Sequence, residues 1–197
     1  MPSTAIYSSR CTAAFLIPLG LSSLALGAAV PFLLEDPVFA FILMGIPLLI
    51  CAVIALLHGF SAAFSRIEIS ERQLKLAAPS WRGFPVPPVR KAVLNWNDVR
   101  AVRHRVELYH VAIPPFALNV PFPVDVYALE TAQERFILGG KSIPRLADAI
   151  ADIAVRSRLP VRREGEVRSS LLKALLKGTP EWQPMSGNEE ILRRPSG

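Results

Sequence analysis

At 197 residues the chain has room for one folded domain beside a membrane anchor, not for two large domains. Mean hydropathy is +0.36 and net charge +6, but neither is spread evenly: up to Phe60 there is one basic residue, Arg10, against Glu35 and Asp36. That leaves 21 of the 22 basic and 14 of the 16 acidic residues, a balance of +7, to the stretch from Ser61 onward, a split that an evenly soluble globular chain does not have.

The chain opens on a short segment, residues 1–11, expected to lie in the cytoplasm. Two apolar stretches without formal charge follow, predicted as transmembrane helices over residues 12–34 and 38–60. Each has about 23 residues and as a helix reaches about 34 Å, enough to cross a hydrocarbon core of roughly 30 Å. Backbone at that depth must satisfy its own hydrogen bonds, which selects helix. The short Glu35-Asp36-Pro37 link makes the two helices antiparallel neighbours. Small residues four apart, Ser23 and Gly27 on the first helix and Cys51, Ala55 and Gly59 on the second, are the candidate packing face. Pro18 and Pro47 are candidate kinks. The only cysteines, Cys11 and Cys51, lie at or inside these stretches, so no disulfide framework is expected.

Orientation follows from the flanking charges. Arg10 precedes the first helix, Arg66, Arg72 and Lys75 follow the second, and the link is acidic, so the positive-inside rule puts both termini in the cytoplasm. A cleaved signal peptide is the rival reading. Its apolar run would be too long, and the basic domain would end on the wrong side.

From residue 61 to 160 the periodicity changes. Ile67 and Ile69 alternate with Glu68, Ser70-Glu71-Arg72-Gln73 turns, and Leu74 and Leu76 alternate with Lys75, which reads as a β-hairpin. Further strands are predicted over 89–94, 99–106, 124–130 and 135–138. Val99, Ala101, Arg103 and Arg105 share one strand face, which turns from apolar to basic. Proline-rich stretches at 79–88 and 114–123 are expected as edges, bulges or loops. Ile143, Leu146, Ile150, Ile153 and Ala154 then form an apolar stripe on a helix over 144–158, with Ser142 as its cap and Pro160 as its stop.

That order resembles the bacterial pleckstrin-homology-like (PH-like) domains. The resemblance rests on a strand-turn-strand (RIEISERQLKL), a Trp-x-Asp-Val strand start at Trp96 and Asp98, a late hairpin (VYALETAQERFIL) and one closing helix (IPRLADAIADIA). It covers about half the chain. It implies an α+β domain, an antiparallel and partly open β-barrel closed by a C-terminal helix, used for binding rather than catalysis. The first hairpin offers only Arg66, Arg72 and Lys75, out of the spacing of inositide-binding members, so that ligand is not carried over.

Catalytic and metal signatures do not emerge. His58, His104 and His110 lack metal-ligand spacing, and neither a Gly-rich phosphate loop nor a nucleophile elbow is present. No cofactor, metal or catalytic residue is therefore expected, with catalysis by residues distant in sequence left open. Arg100, Arg103, Arg105 and Arg135, with Lys91 and Arg90, are candidates for a basic contact face, alongside the bland reading of a solvated surface beside an anionic leaflet. Nucleic acid is not an expected partner.

Residues 161–197 read as a basic amphipathic segment followed by a disordered tail. Leu171, Leu172, Leu175 and Leu176 are expected to face one way, with Arg168, Lys173 and Lys177 elsewhere. Such a helix lies on a membrane, docks into a partner groove or packs back on its own domain. The sequence thus points to a non-enzymatic binding module anchored in the inner (cytoplasmic) membrane, with both termini cytoplasmic. It would act as scaffold, assembly factor or accessory subunit, with the bilayer and another membrane protein or complex as partners. The alternatives are a sensor of anionic lipid head groups and a small membrane enzyme.

Overall fold

A computed structural model of the chain describes residues 4–33, 36–113, 118–140, 142–182 and 190–191. Two helices dominate the first third: α1, Arg10–Leu33, and α2, Pro37–Phe64, both long and apolar enough to cross a membrane. Asp36 starts α2 by accepting the Phe39 amide at 3.0 Å, with Pro37 in the first turn, where its missing N–H costs nothing. A π turn at Phe41–Gly45 widens α2 just before Pro47, whose ring would otherwise crowd the carbonyl one turn back. Outward-facing Phe15, Leu21, Leu26, Ile42, Ile50, Ile54 and Phe60 leave both helices coated with exposed apolar side chains.

The helices meet on a seam different from the expected one. Ala13, Gly20 and Gly27 are buried on α1, and Gly45, Ala52 and Gly59 on α2. Spacing within each set is seven, because helices lying side by side return the same face every two turns. A Cβ at Gly20 would stand 2.7 Å from Leu56 Cγ, one at Gly27 3.2 Å from the Gly45 carbonyl, and one at Gly59 2.9 Å from Ile17 Cγ1. Of the expected contact residues, Gly27 and Gly59 lie on the seam, Ser23 and Ala55 are half-buried beside it, and Cys51 is exposed.

The remainder is α+β. Sheet A has the order β1-β2-β3-β4, formed by Ala5–Ser8, Arg66–Ile69, Gln73–Trp81 and Pro85–Asn95. Residues 5–8 are therefore not a loose terminus. They pair antiparallel with the strand that leaves α2, from Ser8 opposite Arg66 to Ala5 opposite Ile69. Ser9 Oγ donates to the Ser142 carbonyl at 2.5 Å, and Tyr7 OH donates to Asp152 Oδ2 at 2.7 Å, tying this strand to the closing helix as well.

Sheet B has the order β7-β6-β5-β8-β9, formed by Arg135–Gly139, Leu118–Thr131, Val99–Ile113, Val161–Ser170 and Glu190–Ile191. All ladders in both sheets are antiparallel except β5 with β8. No ladder joins the two sheets among the described residues, so the fold is a pair of sheets, not a closed barrel. Helix α3, Leu146–Ser157, packs Leu146, Ala149, Ile150 and Ile153 on Ile67, Ile69, Leu74, Leu76, Val102 and Leu129 in the main core. Ser142 does not cap it; its hydroxyl donates to the Gly139 carbonyl, and Arg145 in left-handed backbone starts the helix. Arg158, also left-handed, ends it before Pro160.

Strands reach further into the proline-rich stretches than expected. β3 carries Pro79 at a register shift, β4 is an edge strand, and Pro121 and Pro123 lie on β6 beyond the rungs that β7 covers. All three are places where a missing donor is tolerated. The tip at 114–117 lies outside the described residues. The tail reading is corrected more sharply: 161–170 is strand β8, and Gly165, at φ +76, sits where its pairing with β5 shifts register. The helical part shrinks to α4, Leu171–Lys177, capped by Ser170 Oγ accepting the Lys173 amide at 3.1 Å. The rest of the expected tail beyond Trp182, apart from the backbone of 190–191, lies outside the described residues.

Candidate functional site

Alternation along β5 puts Arg103, Arg105, Glu107 and Tyr109 on one face of sheet B, opposite Ala128, Val126, Val124 and Phe122 of β6. This is the face on which a basic contact surface was expected. Instead Arg103 and Arg105 are each 1% exposed and Glu107 is fully buried. The face is covered by Trp81 at the end of β3, by Ala174 and Leu171 of α4, and by Trp182 of the segment after it. Gly139 on β7 lets Trp81 lie directly against the sheet; a Cβ there would fall 2.1 Å from the indole.

Charge inside this second core is neutralised rung by rung. Glu107 accepts from Arg105 Nε at 2.9 Å and from Arg105 Nη2, from Trp81 Nε1 at 3.0 Å and from the Tyr109 hydroxyl. Arg105 also donates to the carbonyls of Pro180 at 2.7 Å and Glu181 at 3.1 Å, and its guanidinium lies 4.0 Å from the Trp182 ring centre. Arg103 pairs with Glu130 at 2.9 Å and with Glu164 of β8. An ionised pair is tolerated at this depth only when it is well hydrogen-bonded, and each oxygen of Glu107 accepts two bonds here. Burial first, and then the bond to Glu107, push the Tyr109 hydroxyl pKa well above its ordinary value, so it keeps its proton. A carboxylate with four donors and a locked phenol are poor proton-transfer groups. Their arrangement instead pins the segment 178–182 onto the sheet.

Other expected contact residues are distributed differently. Arg100 is exposed on β5, and Arg168 is exposed on β8 with Glu166 at 3.1 Å. The leucines of α4 split: Leu171 and Leu175 turn toward the sheet beside the buried Ala174, while Leu172 and Leu176 are 67% and 72% exposed, next to exposed Lys173 and Lys177. Two adjacent leucines sit about 100° apart on a helix of 3.6 residues per turn, so one of each pair follows Ala174 inward and the other cannot.

Beside the second core lies a cavity of about 300 Å³, between β3, β7 and the turn after α4. Arg82, Arg90 and Arg135 line it, with Ser80, Ile137 and Thr179. A shallower groove of about 270 Å³ runs over Arg66, Lys75 and Lys91 on sheet A, where Glu68 bridges Arg66 at 2.8 Å and Lys75 at 3.8 Å. No cluster of three or more metal-ligating acids, histidines or cysteines occurs among the described residues. His104 Nε2 is 2.9 Å from Asp125 Oδ1, and its ring lies 4.8 Å from that of Tyr127.

The sequence carried a signal for the buried ladder. Glu107 follows Arg103 and Arg105 at the same two-residue period, and opposite charges on one strand face mark internal pairing rather than an open basic patch. Of the basic residues grouped as a candidate face, Arg90 on β4 and Arg135 on β7 do meet at this cavity, and only Arg82, in the turn after β3, had no signal. No known family, curated protein or solved structure matches the chain.

Proposed function

We propose that the chain is a membrane-anchored, non-enzymatic binding module, acting as scaffold, assembly factor or accessory subunit of a membrane protein complex at the cytoplasmic face. One observation carries this reading: the strand before α1 pairs with the strand after α2, rung for rung. Two apolar helices whose outer ends enter one ladder must leave the bilayer on the same side, so they serve as an anchor for the sheets. Arg10 and Arg66 at those ends, against the acidic link, favour the cytoplasmic side. The order of a three-strand meander, a second meander and one packing helix supports the PH-like resemblance. Tethering raises the effective concentration of a weak binding domain at its membrane partners.

A second reading, recognition of anionic lipid surfaces, is favoured by the outward pairing of Leu172 and Leu176 with Lys173 and Lys177. Reporter fusions and pull-downs from mild detergent test the two. A cytoplasm-active reporter after Gly197 and an export-active one at Asp36 are expected, and the reverse pattern would overturn the anchor. Leu172→Glu with Leu176→Glu should strip a salt-resistant protein partner under the first reading. Under the second it should instead abolish salt-sensitive binding to anionic vesicles.

A further inference from the structure

We infer that the cavity between β3, β7 and the turn after α4 binds a phosphate group, carried by a phospholipid head group or by a small soluble phosphoester. The inference rests on the reading of the chain as a membrane-tethered binding module and names a ligand for it. Three guanidinium groups, from β4, β7 and the turn after β3, line this one space, and no carboxylate does. Arg90 enters no ion pair among the described residues. Arg82 commits only Nη1, to the Leu175 carbonyl at 2.9 Å. Arg135 shares Glu130 with Arg103. Most of the donor capacity of two arginine forks is thus unspent, and like charges gathered in one concavity favour a polyvalent anion.

Arginine is the residue type suited to this task, since its planar fork matches phosphate oxygens two at a time. The hydroxyl-bearing Ser80 and Thr179 add neutral groups to the lining. A volume of about 300 Å³ lies at the small end of ligand cavities and suits a head group rather than a peptide.

Register places the cavity close to the bilayer of the proposed anchor. Arg66, two residues beyond the end of α2, is paired with Ala77 of β3, and Ala77 with Lys91 of β4. Arg90 is the next residue, opposite Ala78. Two strand spacings amount to about 10 Å, so Arg90 stands within roughly one Debye length of the point where α2 ends. A head group at the membrane surface and a soluble phosphoester both have access at that distance.

The test uses the full chain. In neutral detergent micelles at constant ionic strength, inorganic phosphate is expected to raise the melting temperature of the sheets in a saturable way. Arg90→Gln should weaken that response about tenfold, the worth of one charge-assisted hydrogen bond, and Arg82→Gln with Arg90→Gln should abolish it. Arg72→Gln removes the same charge from the distal β2–β3 turn and should leave the response unchanged. Equal melting temperatures of wild type and Arg90→Gln without phosphate verify that the variant folds, and Arg90→Lys should restore only part of the affinity. Nanodiscs of phosphatidylcholine with and without phosphatidate then separate the sources. An Arg90-dependent rise with phosphatidate assigns the site to lipid; a rise with inorganic phosphate alone assigns it to a soluble phosphoester. No response to either, or equal responses in wild type and Arg90→Gln, would overturn the inference. A retained protein partner beside that result would leave the binding-module reading standing.

Discussion

Replacing Arg105 by Met removes the cation that neutralises Glu107 while filling much of the same volume. Glu107 would keep Trp81 and Tyr109 as donors but lose both bonds from the guanidinium, leaving a carboxylate without counter-charge at a fully buried position. Breaking a buried pair from one side costs about 3–5 kcal/mol. For a domain of this size that lowers the melting temperature by about 10–20 °C. Adding Glu107→Gln removes the orphaned charge and leaves an amide oxygen for Trp81 or Tyr109, so the double variant should recover about 2 kcal/mol of the loss. Arg105 also holds the carbonyls of Pro180 and Glu181 and lies under Trp182, so Arg105→Met should release the segment 178–182. Thermal melting of the full chain in detergent reads the first effect, and limited proteolysis within that segment reads the second. Additive single-variant losses, or a segment that stays protected in Arg105→Met, would refute the view that the ion pair secures this cover.

Three more expectations follow from close approaches and from burial. Gly139→Ala drives a methyl group into the Trp81 indole and should cost about 1–3 kcal/mol, whereas Gly165→Ala meets nothing within 4 Å and carries only left-handed strain of about 1 kcal/mol; urea melts of the two variants should rank in that order. Gly59→Leu should part the two apolar helices at Ile17 and lower the temperature at which they separate in detergent, while Cys51→Leu, one face away, should not. The Tyr109 pKa is raised in the fold, so its stabilising contribution is complete below pH about 10 and is lost as pH rises above that value. Tyr109→Phe should therefore flatten part of the alkaline fall in stability, to which Tyr7 and Tyr127, shifted the same way, also contribute.

Much of the main core could be read directly. Ile67, Ile69, Leu74 and Leu76 alternate with polar residues at period two, Leu146, Ile150 and Ile153 recur at helical spacing, and all seven are buried where those periods place them. Local pattern failed where a partner comes from far along the chain. Ala5–Ser8 is too short to announce itself, and it becomes a strand because β2 returns beside it. β8 carries several exposed arginines and glutamates, so its pattern mimics a solvated linker; pairing with β5 along most of its length makes it part of the sheet. Arg103 and Arg105 looked like surface because charge normally stays in water. Their burial depends on Glu107, Glu130 and Glu164, and two of those three come from other strands.

The ladder between β1 and β2 also sets a timetable for synthesis. β1 is synthesised before its partner strand, and Ala5 has no rung until Ile69 arrives, with both apolar helices made in between. At ordinary elongation rates the wait lasts seconds, far longer than a hairpin needs to close. Meanwhile β1 is an unpaired edge, and sheet A stays incomplete. If the helices enter a bilayer as proposed, their insertion brings the two strand ends together. A failed insertion leaves the edge of β2 open, so the chain's own folding reports whether its anchor went in.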